Sequence, residues 1–413
     1  MKRRQFLKLS MSAAVLGGLP AVAAVKRKPR VLLRNGWQSI NIGDIAHYIG
    51  MMELIEKYGI DADVRMWAAN MENGADELFR KTFPKVPFFT GGASVAAAFQ
   101  ECDFLLHGSK SGFSDGDVKK WVEQTKKPFG VMGISLPGAT ATTFELLNKA
   151  DFVYFRDGTA AALAVEKKVS SPIHGWGPDT AFGVVKTRND EAALAFMKNH
   201  GLEEGKFLCC IPRYRWTPQW LVKKGRELDE MKDKRNKQMQ DHDHAPYREA
   251  IIQVTRQTGM KVLITCEDVT QIPLGKEMIY DLLPDDVKKK VVWRDKYWLT
   301  DEALSTYVRS AGLFGNEMHS PIMCVANGIP ATVGRFDEQT KKGFMWKDVG
   351  LEEWLFDMDD EDRVKKIPET VLAIAKDPAA AKANAEMARK IVAKKQDEQF
   401  ANLKKSLEKA VAS

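Results

Sequence analysis

Cysteine is scarce in this chain, and the few cysteines present show no paired spacing. The sequence of 413 residues contains five, Cys102, Cys209, Cys210, Cys266 and Cys324. Cys209 and Cys210 are adjacent in a predicted strand, so their side chains point to opposite faces of a sheet. This pattern excludes a disulfide-stapled scaffold and indicates buried free thiols.

Dense basic segments and aromatic–basic repeats are also missing. The formal net charge is +7, and 28% of the residues are charged while 44% are hydrophobic, which are ordinary values for a globular protein. The absence of a basic stripe indicates that the chain has no nucleic-acid partner. Its length is sufficient for two domains of ~150–200 residues each.

The first residues match the twin-arginine export pattern. The segment Arg3-Arg4-Gln5-Phe6-Leu7-Lys8 carries the paired arginines, and an apolar run over 11–19 precedes Ala21-Val22-Ala23. This run is too short to span ~30 Å of hydrocarbon, which disfavours a membrane anchor. We predict that residues 1–24 are a signal peptide read by the twin-arginine translocase, and that the protein is periplasmic or in the cell envelope.

Strand and helix patterns alternate along the rest of the chain. Such alternation favours parallel sheets covered by helices, and we predict an α/β protein with two Rossmann-like domains facing a cleft. The predicted domains are 25–188 and 189–365, followed by a helical segment, 366–413, expected to be solvated. The predicted strands are 31–33, 64–67, 104–106, 129–136, 152–155, 173–176, 207–211, 261–266, 291–293, 313–314 and 331–333.

A charged insert, residues 216–245, interrupts the second domain. We predict an exposed helix or a mobile flap there, because lysine, arginine and acidic residues dominate the insert. Its final residues, Asp241-His242-Asp243-His244, contain metal-ligand types, but their spacing fits no known site and a solvated loop is favoured. No metal and no cofactor are therefore expected.

The most informative stretch runs from residue 311 to residue 333. It reads as a strand, a polar turn and a helix, with Ser320 as the N-cap, Pro321 as the first helical residue and Asn327-Gly328 as the stop. His319 then lies just ahead of a helix N-terminus at the carboxyl end of a strand. That position attracts a phosphate or a carboxylate, so Ser320 is a candidate for donor binding.

Further candidates follow other predicted strands, and each has a structural alternative. Arg213 and Arg215 flank Tyr214 after a strand, either as anion ligands or as surface arginines. Arg156-Asp157 either faces the cleft or forms a salt bridge that holds a loop. His107 begins a glycine-rich polar loop, where it either contacts substrate or only fills space. Asn41 and Asp44 either contact the acceptor or shape a turn.

Several motifs in one order resemble the polysaccharide pyruvyl transferase family over about 300 residues. The motifs are Asn41-Ile42-Gly43-Asp44, Gly133-Ile134-Ser135, Arg156-Asp157, Gly177-Pro178-Asp179-Thr180-Ala181-Phe182, His319 and Gly328-Ile329-Pro330. The resemblance implies a GT-B-like fold and transfer of a pyruvyl group from phosphoenolpyruvate to two hydroxyls of a glycan.

The resemblance also assigns roles to the candidate residues. His319 would be the general acid and base, and Arg213 or Arg215 would hold the anionic donor. One position departs from the family, because Glu317 stands where many relatives carry arginine in an R-x-H pattern. Either another cation (Arg213, Arg215 or Arg335) compensates for this carboxylate, or the donor is different.

Two other functions remain open at this point. One is another group transfer on the same scaffold, with a donor that is available outside the cytoplasm, since phosphoenolpyruvate is a cytoplasmic metabolite. The other is a non-catalytic protein that binds a glycan.

The export prediction has a direct test. We expect the protein recovered from its own cells to have the mass of a chain that begins near Val25, because small residues at 21–23 are typical of a cleavage site. Intact mass spectrometry measures this, and a mature mass that includes residues 1–24 would contradict it.

Overall fold

The computed structural model describes residues 27–339 and 341–412, so the predicted signal segment, 1–24, lies outside the described residues. The strands are β1 (Arg30–Arg34), β2 (Asp63–Trp67), β3 (Phe88–Phe89), β4 (Phe104–His107), β5 (Phe129–Ile134), β6 (Val153–Phe155), β7 (His174–Trp176), β8 (Phe207–Ile211), β9 (Lys261–Ile264), β10 (Val291–Trp293), β11 (Gly312–Gly315), β12 (Val333–Arg335) and β13 (Leu355–Asp357).

Helices connect most of these strands. They are α1 (Ile42–Lys57), α2 (Ala75–Thr82), α3 (Gly92–Glu101), α4 (Asp115–Thr125), α5 (Ala141–Leu147), α6 (Gly158–Glu166), α7 (Asp190–His200), α8 (Glu230–Gln257), α9 (Gln271–Met278), α10 (Asp285–Lys288), α11 (Thr300–Tyr307), α12 (His319–Ala326), α13 (Met345–Asp348), α14 (Glu361–Val364), α15 (Ile367–Lys376) and α16 (Pro378–Ala410). Short 3₁₀ turns lie at Thr180–Gly183, Gln219–Leu221, Tyr280–Leu282, Asp337–Gln339, Lys342–Phe344 and Glu352–Trp354.

Two parallel sheets form the framework, as the alternating pattern predicted. The first has the strand order β3-β2-β1-β4-β5-β6-β7 and the second has the order β10-β9-β8-β11. In both sheets the order reverses beside the first strand, between β1 and β4 and between β8 and β11. The carboxyl ends of strands at such a reversal leave a crevice where ligands bind.

Burial explains why the central strands read as continuous apolar runs. All residues of β4, β5 and β8 are buried, because helices cover both faces of a parallel sheet. The predicted buried free thiols are confirmed, since all five cysteines lie in the described residues and are buried and unpaired.

The charged insert contains a largely exposed helix, as one of its two predictions has it, but its final residues differ from the prediction. Most of it belongs to α8, a continuous helix of 28 residues in which the side chain of Asp229 caps the N-terminus. Asp243 and His244 are buried within this helix, so the predicted solvated loop at 241–244 is wrong. The cause is the apolar stripe of Tyr247, Ile251 and Val254, which packs into the core. The charged turns belong to the same helix, so they are held against the protein as well.

The C-terminal segment is packed, although its composition predicted solvated helices. In α16, Phe400 is buried and its ring stacks on that of Tyr58, the residue after α1, with the ring centroids 4.8 Å apart. The side-chain amide of Asn402 donates a hydrogen bond to the Tyr154 hydroxyl in β6. This last helix therefore returns to the first sheet, and its small residues Ala381, Ala385 and Ala388 form a buried stripe.

The strand predicted at 331–333 does not extend the second sheet. Instead β12 pairs with β13 in a separate parallel pair, and Ala331 makes only an isolated bridge to Leu313. Within residues 27–339 and 341–412, no helix combines the length and the apolar composition that crossing a membrane requires. The boundary near residue 188 stays a prediction.

Candidate functional site

A cavity of 440 Å³ lies at the carboxyl ends of the strands that flank the two reversals. Both halves of the chain line it, and most of the predicted site residues meet there. The predicted residues on its wall are Asn41, Asp44, Arg156, Arg213, Arg215, Glu317 and His319.

His319 is held by a carboxylate that the sequence analysis did not single out. Its ring nitrogen Nδ1 lies 2.9 Å from Oε1 of Glu267, which follows β9. Since a carboxylate accepts hydrogen bonds, Nδ1 carries the hydrogen and Nε2 is the nitrogen that exchanges protons. The side chain of His319 is 7% exposed, at the edge of the cavity.

The N-terminus of α12 is already neutralised by this same carboxylate. Oε2 of Glu267 accepts hydrogen bonds from the backbone nitrogen and the hydroxyl of Ser320, at 2.7 and 2.8 Å. The helix begins at His319, so Ser320 is not its N-cap, and Ser320 is fully buried. The anion expected at this helix end is therefore an internal one, which corrects the expectation that Ser320 and this helix end bind a donor.

The negative charge of Glu317, at the position where many relatives carry arginine, is balanced by a cation in the cavity. Oε1 of Glu317 lies 2.8 Å from Nε of Arg213 and accepts a hydrogen bond of 2.6 Å from the side-chain amide of Gln271. Nη1 of Arg213 has no hydrogen-bond partner among the described residues. Arg213 thus offsets the carboxylate and keeps donor capacity for a ligand.

Arg215 has a different role from Arg213, although both line the cavity. Its Nε lies 2.8 Å from Oδ2 of Asp243, its Nη2 lies 2.9 Å from Oδ1, and its Nη1 contacts Glu338 and Asp359. Burial opposes its charge, but the hydrogen bonds to Asp243 and Asp359 raise the pKa of Arg215 above its ordinary value. This guanidinium forms ion pairs with three carboxylates, and these ion pairs connect α8 to the region around β13.

Arg156 pairs with Asp179 and not with its neighbour Asp157. Its Nη1 donates to Oδ2 of Asp179 at 2.9 Å and its Nε donates to the Ser135 hydroxyl at 3.0 Å. Within the described ranges, Nη2 of Arg156 has no hydrogen-bond partner. Both alternatives for Arg156 therefore hold: it forms a salt bridge within the first half of the chain, and it presents a second guanidinium donor in the same cavity.

Asp157 is occupied by its own helix. Its Oδ1 accepts from the backbone nitrogen of Ala160 at 2.8 Å, which caps α6, and its Oδ2 accepts from the Ser135 hydroxyl at 2.6 Å. Asp157 lines a second cavity, of 680 Å³, that shares Trp216 and Glu338 with the first. Apolar residues, including Leu136, Pro137 and Leu163, form much of that wall.

His107 is a core residue. It has no exposed surface, and its Nε2 accepts a hydrogen bond from the backbone nitrogen of Ser114 at 3.1 Å. Burial, with the charges of Lys110 and Arg34, lowers the pKa of His107 to about 3. A neutral ring thus fixes the loop after β4. Of the two alternatives for His107, the structure favours the one in which it fills space, because His107 does not line the cavity.

The motif at residues 41–44 positions α1 against His319. The side chain of Asn41 accepts from the backbone nitrogens of Gly43 and Asp44 at 2.8 and 3.2 Å, which caps the helix. A Cβ at Gly43 would lie 2.2 Å from Nδ1 of His319, so only glycine permits this approach. His47 lies one turn later on the same face of α1. The centroids of the His47 and His319 rings are 4.7 Å apart.

Comparison with known proteins agrees with this architecture and assigns the family. The sequence pattern described as polysaccharide pyruvyl transferase matches residues 41–333, which is more than half of the chain. The chain belongs to the polysaccharide pyruvyl transferase family. No curated protein matches it significantly.

Solved structures show the fold that this pyruvyl transferase family member adopts. A putative UDP-N-acetylglucosamine 2-epimerase from Listeria monocytogenes is 11% identical with a TM-score of 0.54, over 88% of this chain and 91% of that one. Anabaena HepE, solved with UDP and glucose, is 11% identical with a TM-score of 0.55, over 91% and 98%. Phytolacca americana UGT2 is 10% identical with a TM-score of 0.55, over 92% and 100%. The predicted GT-B-like fold is confirmed.

Four site residues of this family member were missed by the sequence analysis. Glu267 and Asp268 follow β9, which neighbours β8 in the sheet, so the rule that located Arg213 also applies to them. Asp179 stands in the motif quoted at 177–182. His47 lies inside an apolar helix, and no local signal distinguishes it from a core histidine.

Asp268, on the cavity wall, has a carboxyl group whose pKa is shifted from its ordinary value. Burial raises the pKa of Asp268 to about 6, while hydrogen bonds from the backbone and hydroxyl of Thr270 oppose the rise and the charge of Glu317 adds to it. The folded state therefore favours the protonated acid. Its contribution to stability is complete below pH 4 and is lost as the pH rises through 6.

The variant Asp268→Asn tests this displacement, because the asparagine oxygen keeps the hydrogen bonds with Thr270. Between pH 4 and pH 7 we expect the unfolding free energy of the variant, relative to wild type, to increase by about 2 kcal/mol. Urea denaturation at both pH values measures it. Asp362→Asn, at a side chain that is 92% exposed, is the control and should show no such change. A constant difference at the two pH values would refute the displaced pKa.

Proposed function

We propose that this protein is an exported pyruvyl transferase that transfers the pyruvyl group of phosphoenolpyruvate to two hydroxyls of a glycan in the cell envelope. Family membership supports the reaction class, and the twin-arginine pattern at residues 3–8 supports the location.

One observation carries the proposal: a histidine–carboxylate pair and two guanidinium groups with unused donors face a single cavity. His319 is bonded to Glu267, while Arg156 and Arg213 each keep a buried nitrogen without a hydrogen-bond partner among the described residues. Phosphoenolpyruvate carries a phosphate and a carboxylate. Guanidinium groups recognise both anions through paired hydrogen bonds.

The reaction requires a group that moves protons. Two hydroxyl oxygens bond to C2 of the donor, the bond from C2 to the phosphate oxygen breaks, and inorganic phosphate leaves. One hydroxyl proton ends on the methylene carbon, which becomes a methyl group, and the other ends on phosphate. Nε2 of His319 would accept a hydroxyl proton and return it to carbon, while Glu267 stabilises the charged ring.

Glu317 is compatible with an anionic donor because it does not act as an isolated charge. Its ion pair with Arg213 and its hydrogen bond with Gln271 neutralise and orient the carboxylate. The pair also fixes the direction of the Arg213 guanidinium, whose Nη1 remains available to a phosphate. Arg213 is therefore the preferred donor ligand, whereas Arg215 is committed to Asp243, Glu338 and Asp359.

Replacing His319 tests its proton-transfer role. His319→Asn is designed to keep a donor for Glu267, because the asparagine amide takes the position of ring Nδ1, but it has no group that exchanges protons. We expect kcat to fall about 10²–10⁴-fold in both His319→Asn and His319→Ala, with a smaller change in the KM for phosphoenolpyruvate. Phosphate release with a pyruvylatable acceptor glycan measures the rate.

His200→Ala is the matched control, because His200 is exposed at the end of α7. It should retain wild-type rates. Unchanged rates in His319→Asn would remove this histidine from the mechanism. Calorimetric titration separates the other functions: glycan binding without phosphoenolpyruvate binding would favour a non-catalytic glycan-binding protein.

The donor role of Arg213 is tested with a paired substitution. Arg213→Gln together with Glu317→Gln removes both charges of the buried pair, so no unpaired charge is left behind. We expect the KM for phosphoenolpyruvate to rise at least about tenfold. The exposed pair Arg389 and Glu386, with side chains 48% and 42% exposed, provides the control when both residues become glutamine. An equal KM in the two double variants would exclude Arg213 as a donor ligand.

A further inference from the structure

The side chains of two histidines on the cavity wall and of one fully buried aspartate converge on one point. One ring nitrogen of His47, one ring nitrogen of His319 and one carboxylate oxygen of Asp179 all lie within 4.8 Å of one another, and all three residues are buried. We propose that these three side chains bind one divalent transition-metal cation of the zinc class.

The distance between His47 and Asp179 fits two ligands of one metal ion better than it fits a direct hydrogen bond. Nε2 of His47 lies 3.5 Å from Oδ1 of Asp179, which is long for a hydrogen bond. Ligand atoms that sit ~2.0–2.1 Å from a tetrahedral zinc ion are separated from each other by about 3.4 Å. A cation between these two atoms therefore needs little movement of either side chain, and His319 has to approach by up to about 1.4 Å to complete the set.

His47 supplies an independent observation. It is 1% exposed, and neither of its ring nitrogens has a hydrogen-bond partner within residues 27–339 and 341–412. Buried polar atoms are normally satisfied, so a bare imidazole that faces a carboxylate inside a cavity calls for a ligand. A metal bond through Nε2 satisfies that nitrogen.

The neighbouring contacts are those that orient metal ligands in proteins. Nδ1 of His319 is bonded to Glu267, which directs Nε2 toward the cluster. Asp179 is fixed by Nη1 of Arg156 on Oδ2 and by the backbone nitrogen of Ala181 on Oδ1, both at 2.9 Å.

The ligand types define the class of metal. Two imidazole nitrogens and one carboxylate oxygen suit zinc and similar transition metals, whereas magnesium and calcium prefer shells made of oxygen. His47 and His319 both line the cavity, so its interior supplies the remaining coordination positions. The charge of Arg156 on Asp179 reduces the affinity, and we expect micromolar dissociation constants.

This site shares His319 with the proposed transfer reaction, but its test does not depend on that reaction. A metal on Nε2 of His319 occupies the nitrogen that would exchange protons, so metal binding and transfer compete for one atom. Binding is measured on the protein without any substrate. A failed transferase assay therefore leaves the metal measurement intact, and a failed titration leaves the transferase assay intact.

The test is calorimetric titration of the untagged, metal-free protein with Zn²⁺ alone and, as the hard-cation comparison, with Mg²⁺ alone. We expect one equivalent of Zn²⁺ to bind and no Mg²⁺. His47→Asn should weaken Zn²⁺ binding about 100-fold or more. His200→Asn, at an exposed histidine, should bind as wild type does. His242→Asn should also bind Zn²⁺ as wild type does, and that result excludes the alternative site formed by His242, Asp243 and Glu361.

Co²⁺ gives a second measurement that does not depend on any variant folding. Bound to the proposed site in wild-type protein, it should show the intense visible absorption of a low-coordinate nitrogen–oxygen set, and Zn²⁺ should displace it. Absence of stoichiometric Zn²⁺ binding, binding that survives His47→Asn, or only the weak spectrum of hydrated Co²⁺ would each overturn the proposal.

Discussion

The carboxylate of Glu267 is the contact on which the arrangement of the cleft depends. It comes from the end of β9 and accepts hydrogen bonds from the backbone and hydroxyl of Ser320 and from the ring of His319. A buried carboxylate at a helix N-terminus meets the positive end of the helix and its unpaired N–H groups. Glu267 therefore fastens α12 to the sheet and fixes the orientation of His319 in one set of contacts.

As a consequence, the charged residues of the cleft have different roles. Because Glu267 already occupies the N-terminus of α12, the cationic groups that the cavity presents are side chains. Arg215 and Arg213 stand two residues apart after β8, yet three carboxylates occupy the first and one carboxylate occupies the second. Arg156, from the other half of the chain, completes the cationic side of the cavity.

Close packing across the cleft joins the two halves at the same point. Gly43 admits the ring of His319 against the start of α1, and His47 follows one turn later. The residues of the motif at 41–44 thus act mainly through helix geometry, since Asn41 caps α1 and Gly43 leaves room. This explains how the motif at 41–44 can accompany His319, which lies far away in the sequence, through helix geometry and close packing.

The sequence predicted the framework well because parallel α/β sheets leave strong local signals. Buried strands such as β4, β5 and β8 are continuous apolar runs, and the polar residues that follow them converge at the crevice. The same logic located Arg213, Glu317 and His319, and it also applies to Glu267 and Asp268. Local composition was a poorer guide where burial came from distant partners: the charged turns of α8 and the alanine-rich α16 both read as solvated.

By itself, the sequence determined the fold class, the order of the strands along the chain and the cluster of polar residues at their carboxyl ends, because each depends on local periodicity and on strand-end position. Only the tertiary structure decided which charges are paired. Whether Arg213 or Arg215 keeps a donor, whether Ser320 meets a ligand or Glu267, and whether His47 joins the site depend on contacts between segments 28 to more than 250 residues apart. No local pattern encodes such contacts, since electrostatic and packing energies depend on distance in space.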